Sequence, residues 1–121
     1  MQRIYANNSR TESQINFVFD DRKKHASPEA FYIAAMRFLA QIWGIEESIK
    51  QYLSSLNKTK CSNSELRQRV NDCLSITPVP IFLPLLENIE SEHSFCNDWN
   101  TQELVWSSGD KYVLMSWETS A

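Results

Sequence analysis

The hydrophobic positions of this chain repeat with two different periods, and turn-forming residues mark where one gives way to the other. Ile15, Phe17 and Phe19 alternate with polar neighbours over residues 14–20, which predicts a strand, with Val18 softening the alternation. Asp20-Asp21-Arg22-Lys23-Lys24-His25 follows as a solvated loop. Ser27-Pro28-Glu29 then supplies a hydroxyl cap, a proline at the first helical position and an acid in the first turn. From there Phe31, Ala35, Phe38, Ile42, Ile45, Ile49, Tyr52 and Leu56 succeed one another at steps of four and three. This stripe predicts one long helix of about eight turns, roughly 40–45 Å from end to end. Tyr32, Met36, Leu39 and Trp43 form a second row beside its first half only, so that half is expected at the centre of the core. The second half is one-sided, with Glu46 and Lys50 spaced for an i,i+4 pair on the wet face. Gly44 stands at the junction and marks either a bend or a break into two helices, since an isolated glycine costs only about 1 kcal/mol against alanine.

Ser62-Asn63-Ser64-Glu65 is a capping box that opens a second helix with Leu66, Val70, Cys73 and Leu74 on its apolar face, ending near Ser75. Thr77-Pro78-Val79-Pro80 is extended, because each proline drives its predecessor out of the helical region. Phe82, Leu85, Leu86 and Ile89 recover helical spacing, and residues 90–100 read as polar and irregular. Glu103–Ser107 and Lys111–Glu118 predict a hairpin turning at Ser108-Gly109-Asp110. The expected architecture is a single α+β domain over residues 1–121. In it, a long helix in the N-terminal half and two shorter helices pack on one face of a small antiparallel sheet that ends in a C-terminal hairpin. An additional edge strand from Arg3 to Ala6 is left open at this level.

Composition narrows the function classes. The 121 residues are 42% hydrophobic and 22% charged, the balance of an ordinary globular domain. Two glycines, Gly44 and Gly109, exclude glycine-rich phosphate-binding loops. The first residues lack the apolar core of a signal peptide, and Phe31–Trp43, interrupted by Arg37 and Gln41, is too short to span a bilayer. Cys61, Cys73 and Cys96 show no disulfide-framework spacing, so a reducing cytoplasm is the expected compartment.

The net charge of -3 conceals an asymmetry. Residues 1–60 carry nine basic and six acidic side chains; residues 61–121 carry three basic and nine acidic. Glu87–Glu118 holds seven acids and three of the four tryptophans, Trp99, Trp106 and Trp117. A negative field speeds capture of a basic partner, and tryptophan is enriched among binding hot spots. In the plainer reading Trp106 and Trp117 pack the sheet against the long helix while the acids are solvated, with Trp99 in a polar loop.

Catalytic constellations are weak by comparison. His93-Ser94-Phe95-Cys96 with Asp98 has the ingredients of a metal half-site or a thiol–imidazole pair, but no second ligand pair comes at zinc spacing. The paired acids Asp20-Asp21 and Glu46-Glu47 do not face each other, and Arg22–His25 is one short basic run without interleaved aromatics. The expectation is therefore a protein with no catalytic residue, no metal and no cofactor, binding neither nucleic acid nor membrane.

In length, acidity and the tryptophan-bearing segment Glu87–Glu118, the chain resembles the small bacterial toxin-immunity proteins. The resemblance implies a non-enzymatic inhibitor that neutralises a basic toxin domain, such as a nuclease, by covering its active site. Glu90, Glu92, Asp98, Glu103 and Asp110 would then face lysines and arginines of the toxin where phosphates otherwise sit, with Trp99 as the anchor. An adaptor, a chaperone-like accessory protein or a phage-encoded inhibitor would use the same surface on another protein. A small thiol enzyme built on Cys96 and His93 is the third alternative.

Overall fold

In the computed structural model, which describes residues 1–54, 58–80 and 83–120, six strands form one antiparallel sheet in the order β1-β2-β6-β5-β4-β3. The strands are β1 (Gln2–Asn8), β2 (Ser13–Asp21), β3 (Thr59–Lys60), β4 (Ile89–Asp98), β5 (Thr101–Ser108) and β6 (Lys111–Thr119). The helices are α1 (Pro28–Trp43), α2 (Glu46–Ser54) and α3 (Asn63–Ile76), and a 3-10 turn, Leu83–Leu86, leads into β4. Leu56 and Phe82, both used in the apolar patterns above, fall outside the described residues.

The helix starts form as their residues dictate. Ser27 Oγ accepts from the Ala30 amide at 3.1 Å and Ser62 Oγ from the Glu65 amide at 3.1 Å, each satisfying a backbone donor that the first turn leaves unpaired. The C-terminal hairpin forms as well, with Gly109 at φ 59 supplying the left-handed turn residue.

The expected long helix on one face of a small sheet is not what forms. The stripe breaks at Gly44, which takes φ 71 and caps α1 by donating to the carbonyls of Ala40 and Gln41. Ile45 then starts the next helix, its carbonyl accepting from Ser48 at 3.0 Å and Ile49 at 3.2 Å. Glycine adopts this left-handed backbone without the Cβ penalty, so the helix ends where only glycine ends it cheaply. The two helices happen to be in phase, which is why the pattern reads straight through the elbow, yet Ile42 and Ile45 are 46% and 40% exposed. No neighbouring atom lies within 4 Å of a Cβ placed on Gly44, so Gly44→Ala tests the backbone alone. It is expected to cost about 1–2 kcal/mol in denaturant unfolding, and Gly44→Asn less, because asparagine tolerates the left-handed region.

The helices also cover both faces rather than one. Ile15, Phe17, Leu104, Trp106, Val113, Met115 and Trp117 pack with Leu66, Val70 and Cys73 of α3. Val18, Val105, Tyr112 and Leu114 pack with Phe31, Tyr32, Ala35, Met36 and Leu39 of α1 on the opposite side. Successive residues of β5 and β6 thus enter different cores, and the run Tyr112-Val113-Leu114-Met115 is apolar without alternation because both of its faces are buried.

Three strands complete the sheet beyond the expected ones, the two-residue β3 pairing with β4 at its edge. β1 pairs with β2 from Gln2↔Phe19 to Asn8↔Ser13. β4 occupies the stretch that reads as polar and irregular, because register shifts between Glu90 and His93 and between Ser94 and Cys96 disrupt its alternation. Besides the apolar contact of Ile89, polar contacts join it to α3: the Arg69 guanidinium donates to Ser94 Oγ at 2.9 Å and the Cys96 carbonyl at 2.8 Å, and to Gln102 Oε1 of β5 at 2.7 Å. Among the described residues no helix is long and apolar enough to cross a membrane.

Candidate functional site

One end of the sheet gathers most of the features that can recognise another molecule. The turn between β4 and β5 carries Trp99, which is 75% exposed, beside the exposed Asp98. Most of the ring lies in water, where it forfeits a large burial gain. The tip itself is firmly held. Gln102 Nε2 donates to Asn97 Oδ1 at 2.9 Å and to the Asp98 carbonyl at 2.8 Å, and the Thr119 amide donates to the Asn100 carbonyl at 3.0 Å. A groove of about 190 Å³ runs from Trp99 along α3, lined by Asp72, Ile76 and Trp117. Ile76 is itself an exposed apolar residue, so Trp99 has an apolar neighbour across the groove.

The charge at this end is negative for two reasons. Asp72, Asp98 and Glu118 stand around the tip, and Glu12 lies in the adjoining β1–β2 turn, where its carbonyl accepts from the Ser120 amide at 3.0 Å. Arg69, which lines the groove and donates to Gln102, Ser94 and the Cys96 carbonyl, and the exposed Arg10 of the β1–β2 turn offset part of this charge. In addition α1 and α3 both end here, with Trp43 and Ile76 as their last residues and no basic side chain in either last turn. Each helix contributes a partial negative charge at its carbonyl end.

The six residues expected at a partner surface are scattered. Asp98 and Trp99 lie at the tip just described. Glu103 is 3% exposed and accepts a hydrogen bond from the Tyr32 hydroxyl beneath α1, so it faces the interior. Glu92 accepts from Asn63 Nδ2 at 3.2 Å, beside the first turn of α3, where a carboxylate offsets the positive end of the helix. Glu90 and Asp110 are exposed at the opposite end of β5, about 24 Å away for an eight-residue strand. Asp72, Ile76 and Glu118 did not figure among the expected site residues. For Ile76 the available signal is that it falls off the Leu66–Val70–Cys73 stripe, and for both helix ends it is the lack of lysine or arginine.

Trp106 and Trp117 are buried, as in the plainer reading, but they pack against α3 on the opposite sheet face and not against the helix of the Phe31 stripe. Three residues of the Arg22–His25 run are held by neighbours: Lys24 pairs with Asp20 at 3.6 Å, His25 Nε2 contacts Asp20 Oδ2 at 2.9 Å, and Arg22 donates to the Gly109 carbonyl at 3.2 Å. Asp21 pairs with Lys111, whose hydrogen bond and charge hold the Asp21 carboxyl below its ordinary value.

The thiol–imidazole pair does not assemble. His93 Nδ1 donates to the Ser91 carbonyl at 2.8 Å, whereas the Cys96 thiol donates to Asp98 Oδ2 and to the Thr101 carbonyl, each at 3.7 Å. Burial, with the charges of Glu103 and Asp98, pushes the Cys96 thiol up to about 11, and burial pushes Cys73 up to about 12. A nucleophilic cysteine requires the opposite shift. Alkylation of Cys96 by iodoacetamide at pH 7 is expected to run at least about tenfold slower than that of free cysteine, because the thiolate is scarcer than its higher nucleophilicity can offset. A mass-spectrometric time course measures this, and labelling at the free-cysteine rate would mark Cys96 as activated.

Comparison with protein-family models, curated proteins and solved structures finds no match to this chain.

Proposed function

We propose that this protein is a binding module that inhibits a basic protein partner by occlusion, in the manner of the small bacterial toxin-immunity proteins. The observation that carries this reading is Trp99, three-quarters exposed on a rigidly tied hairpin tip at the electronegative end of the sheet. Trp99 enters an apolar cleft of the partner, with Ile76 widening the contact. Asp72, Asp98 and Glu118 face the partner's lysines and arginines, taking the place that phosphate groups hold in a nuclease site. Glu103 supports the interior under α1 instead of touching the partner, and Glu90 and Asp110 lie outside the contact.

A tagged full-length chain, used as bait in a lysate of the cells that express it and washed at low and then moderate salt, tests the proposal. The expected result is one basic partner at a one-to-one ratio, with an association rate that falls as ionic strength rises. Recovery of only acidic or neutral partners, or an association rate indifferent to salt, overturns it. Assay of the captured protein for nuclease or other toxic activity, with and without the bait, then separates an immunity protein from an adaptor.

A further inference from the structure

The two edges of the sheet differ. At one edge β3 is two residues long and ends on Lys60, with Lys58 just before it. A short strand and exposed lysines both obstruct the addition of a further strand. At the other edge β1 runs seven residues in unbroken register with β2 and contains neither proline nor glycine. No strand pairs with its outer side among the described residues, so a row of backbone donors and acceptors is left open to another chain. We propose that β1 pairs antiparallel with β1 of a second copy of this chain, about a two-fold axis at Tyr5, and joins the two six-stranded sheets into one.

In that register β1 is complementary to itself. Tyr5 stands opposite Tyr5 of the second copy, Ile4 opposite Ala6, Arg3 opposite Asn7 and Gln2 opposite Asn8. A cross-strand aromatic pair is favourable, and no like charges meet, since Arg3 is the one charged residue of the strand. Moving the axis to Arg3 would set two guanidinium groups opposite each other, which disfavours that register. Tyr5 is 44% exposed at the middle of the strand, so its ring has surface left to bury. On the other face Ile4 and Ala6 pack at the margin of the α3-side core, and setting the larger against the smaller carries that apolar layer across the junction. Charge favours the pairing on the Arg3 face. Asn7, Gln14 and Glu118 form one row there, beside a hollow of about 430 Å³ whose charged lining residues are Glu12 and Glu118. Arg3 of the second copy arrives opposite Asn7, next to that hollow; the exposed Arg10 of the β1–β2 turn offsets part of the attraction. The β3 edges remain outermost, so association closes at two copies. The β4–β5 turn with Trp99 lies towards the β3 edge and stays open, and the pairing does not rest on the function proposed above.

Sedimentation velocity of the full chain from roughly 1 μM to 1 mM, the range in which a small interface associates, tests the proposal. The expected result is a reversible monomer–dimer equilibrium with nothing larger. Tyr5→Lys sets two ammonium groups opposite each other and should weaken the dimer by about tenfold or more, and Tyr5→Glu should do the same with two carboxylates. An equimolar mixture of the two variants should recover a dimer of one copy each, while the monomers keep the circular dichroism of the parent. Hydrogen exchange on the unmodified chain supplies a check that needs no variant to fold. Amides within Gln2–Asn8 should be better protected at concentrations where the dimer forms than where the monomer does, and those of β5 and β6 equally protected in both. A chain that stays monomeric throughout leaves the edge to a strand of some other protein and overturns the proposal. Assemblies larger than two, a dimer undiminished by Tyr5→Lys, or β1 exchange indifferent to dimer formation overturn it as well. A variant mixture that stays monomeric removes the axis from Tyr5.

Discussion

Replacing Trp106 with alanine is expected to lower the unfolding free energy by roughly 3–5 kcal/mol, a large share of the roughly 5–15 kcal/mol that holds a domain folded. The indole is fully buried on the α3 side of β5, edge-on to Phe17 with ring centres 6.5 Å apart. Its Nε1 donates to the Leu85 carbonyl at 2.7 Å, which pins the 3-10 turn to the sheet. Alanine therefore removes the packing of a whole side chain and strands a buried acceptor in one step. Trp106→Phe separates the two contributions, since it keeps most of the volume and loses the hydrogen bond. It should cost about 1–2 kcal/mol. Equilibrium denaturation of both variants with unchanged slopes checks the assignment. A loss below about 1 kcal/mol for Trp106→Ala would show that the surrounding side chains collapse into the space.

Trp99→Ala should have the opposite profile. The ring is three-quarters exposed, so truncation leaves stability within about 0.5 kcal/mol of the parent. Affinity for the partner should nevertheless fall by about 30-fold or more, the loss that corresponds to the roughly 2 kcal/mol or greater of an interface hot spot. The loss should appear mainly as faster dissociation, since removing an anchor does not alter the long-range field. Asp98→Lys should act on the other rate, slowing association and flattening its salt dependence. A Trp99→Ala protein that binds as tightly as the parent removes the anchor from the proposal. One that unfolds like Trp106→Ala shows instead that the tip is part of the core.

These two tryptophans lie seven residues apart in one acidic segment, and in the sequence only the strand pattern of Glu103–Ser107 separates them. Their different fates follow from where β4 and β5 turn. That turn is hidden because β4 carries two register irregularities, its buried Ile89 and Phe95 fall in different cores, and Arg69 of α3 adds polar contacts to it. Hydropathy periodicity reports apolar contacts in unbroken register only, so a bulged strand with polar contacts to its helix reads as a loop. For the same reason Glu103, one more acid in an acidic run, gave no sign that it points under α1 towards Tyr32.

What the sequence by itself determined is local: the caps at Ser27 and Ser62, the β2 alternation, and the C-terminal hairpin at Gly109. Each is settled by interactions spanning a few residues, which side-chain chemistry and backbone sterics dictate without reference to the rest of the chain. The tertiary structure alone decided that the stripe through Gly44 serves two helices, that helices cover both sheet faces, and that Asp98 joins Asp72 and Glu118 while Asp110 does not. Those outcomes depend on which distant segments share a surface, and the free energy that selects among them comes from burial summed over the whole fold rather than from any one stretch of residues.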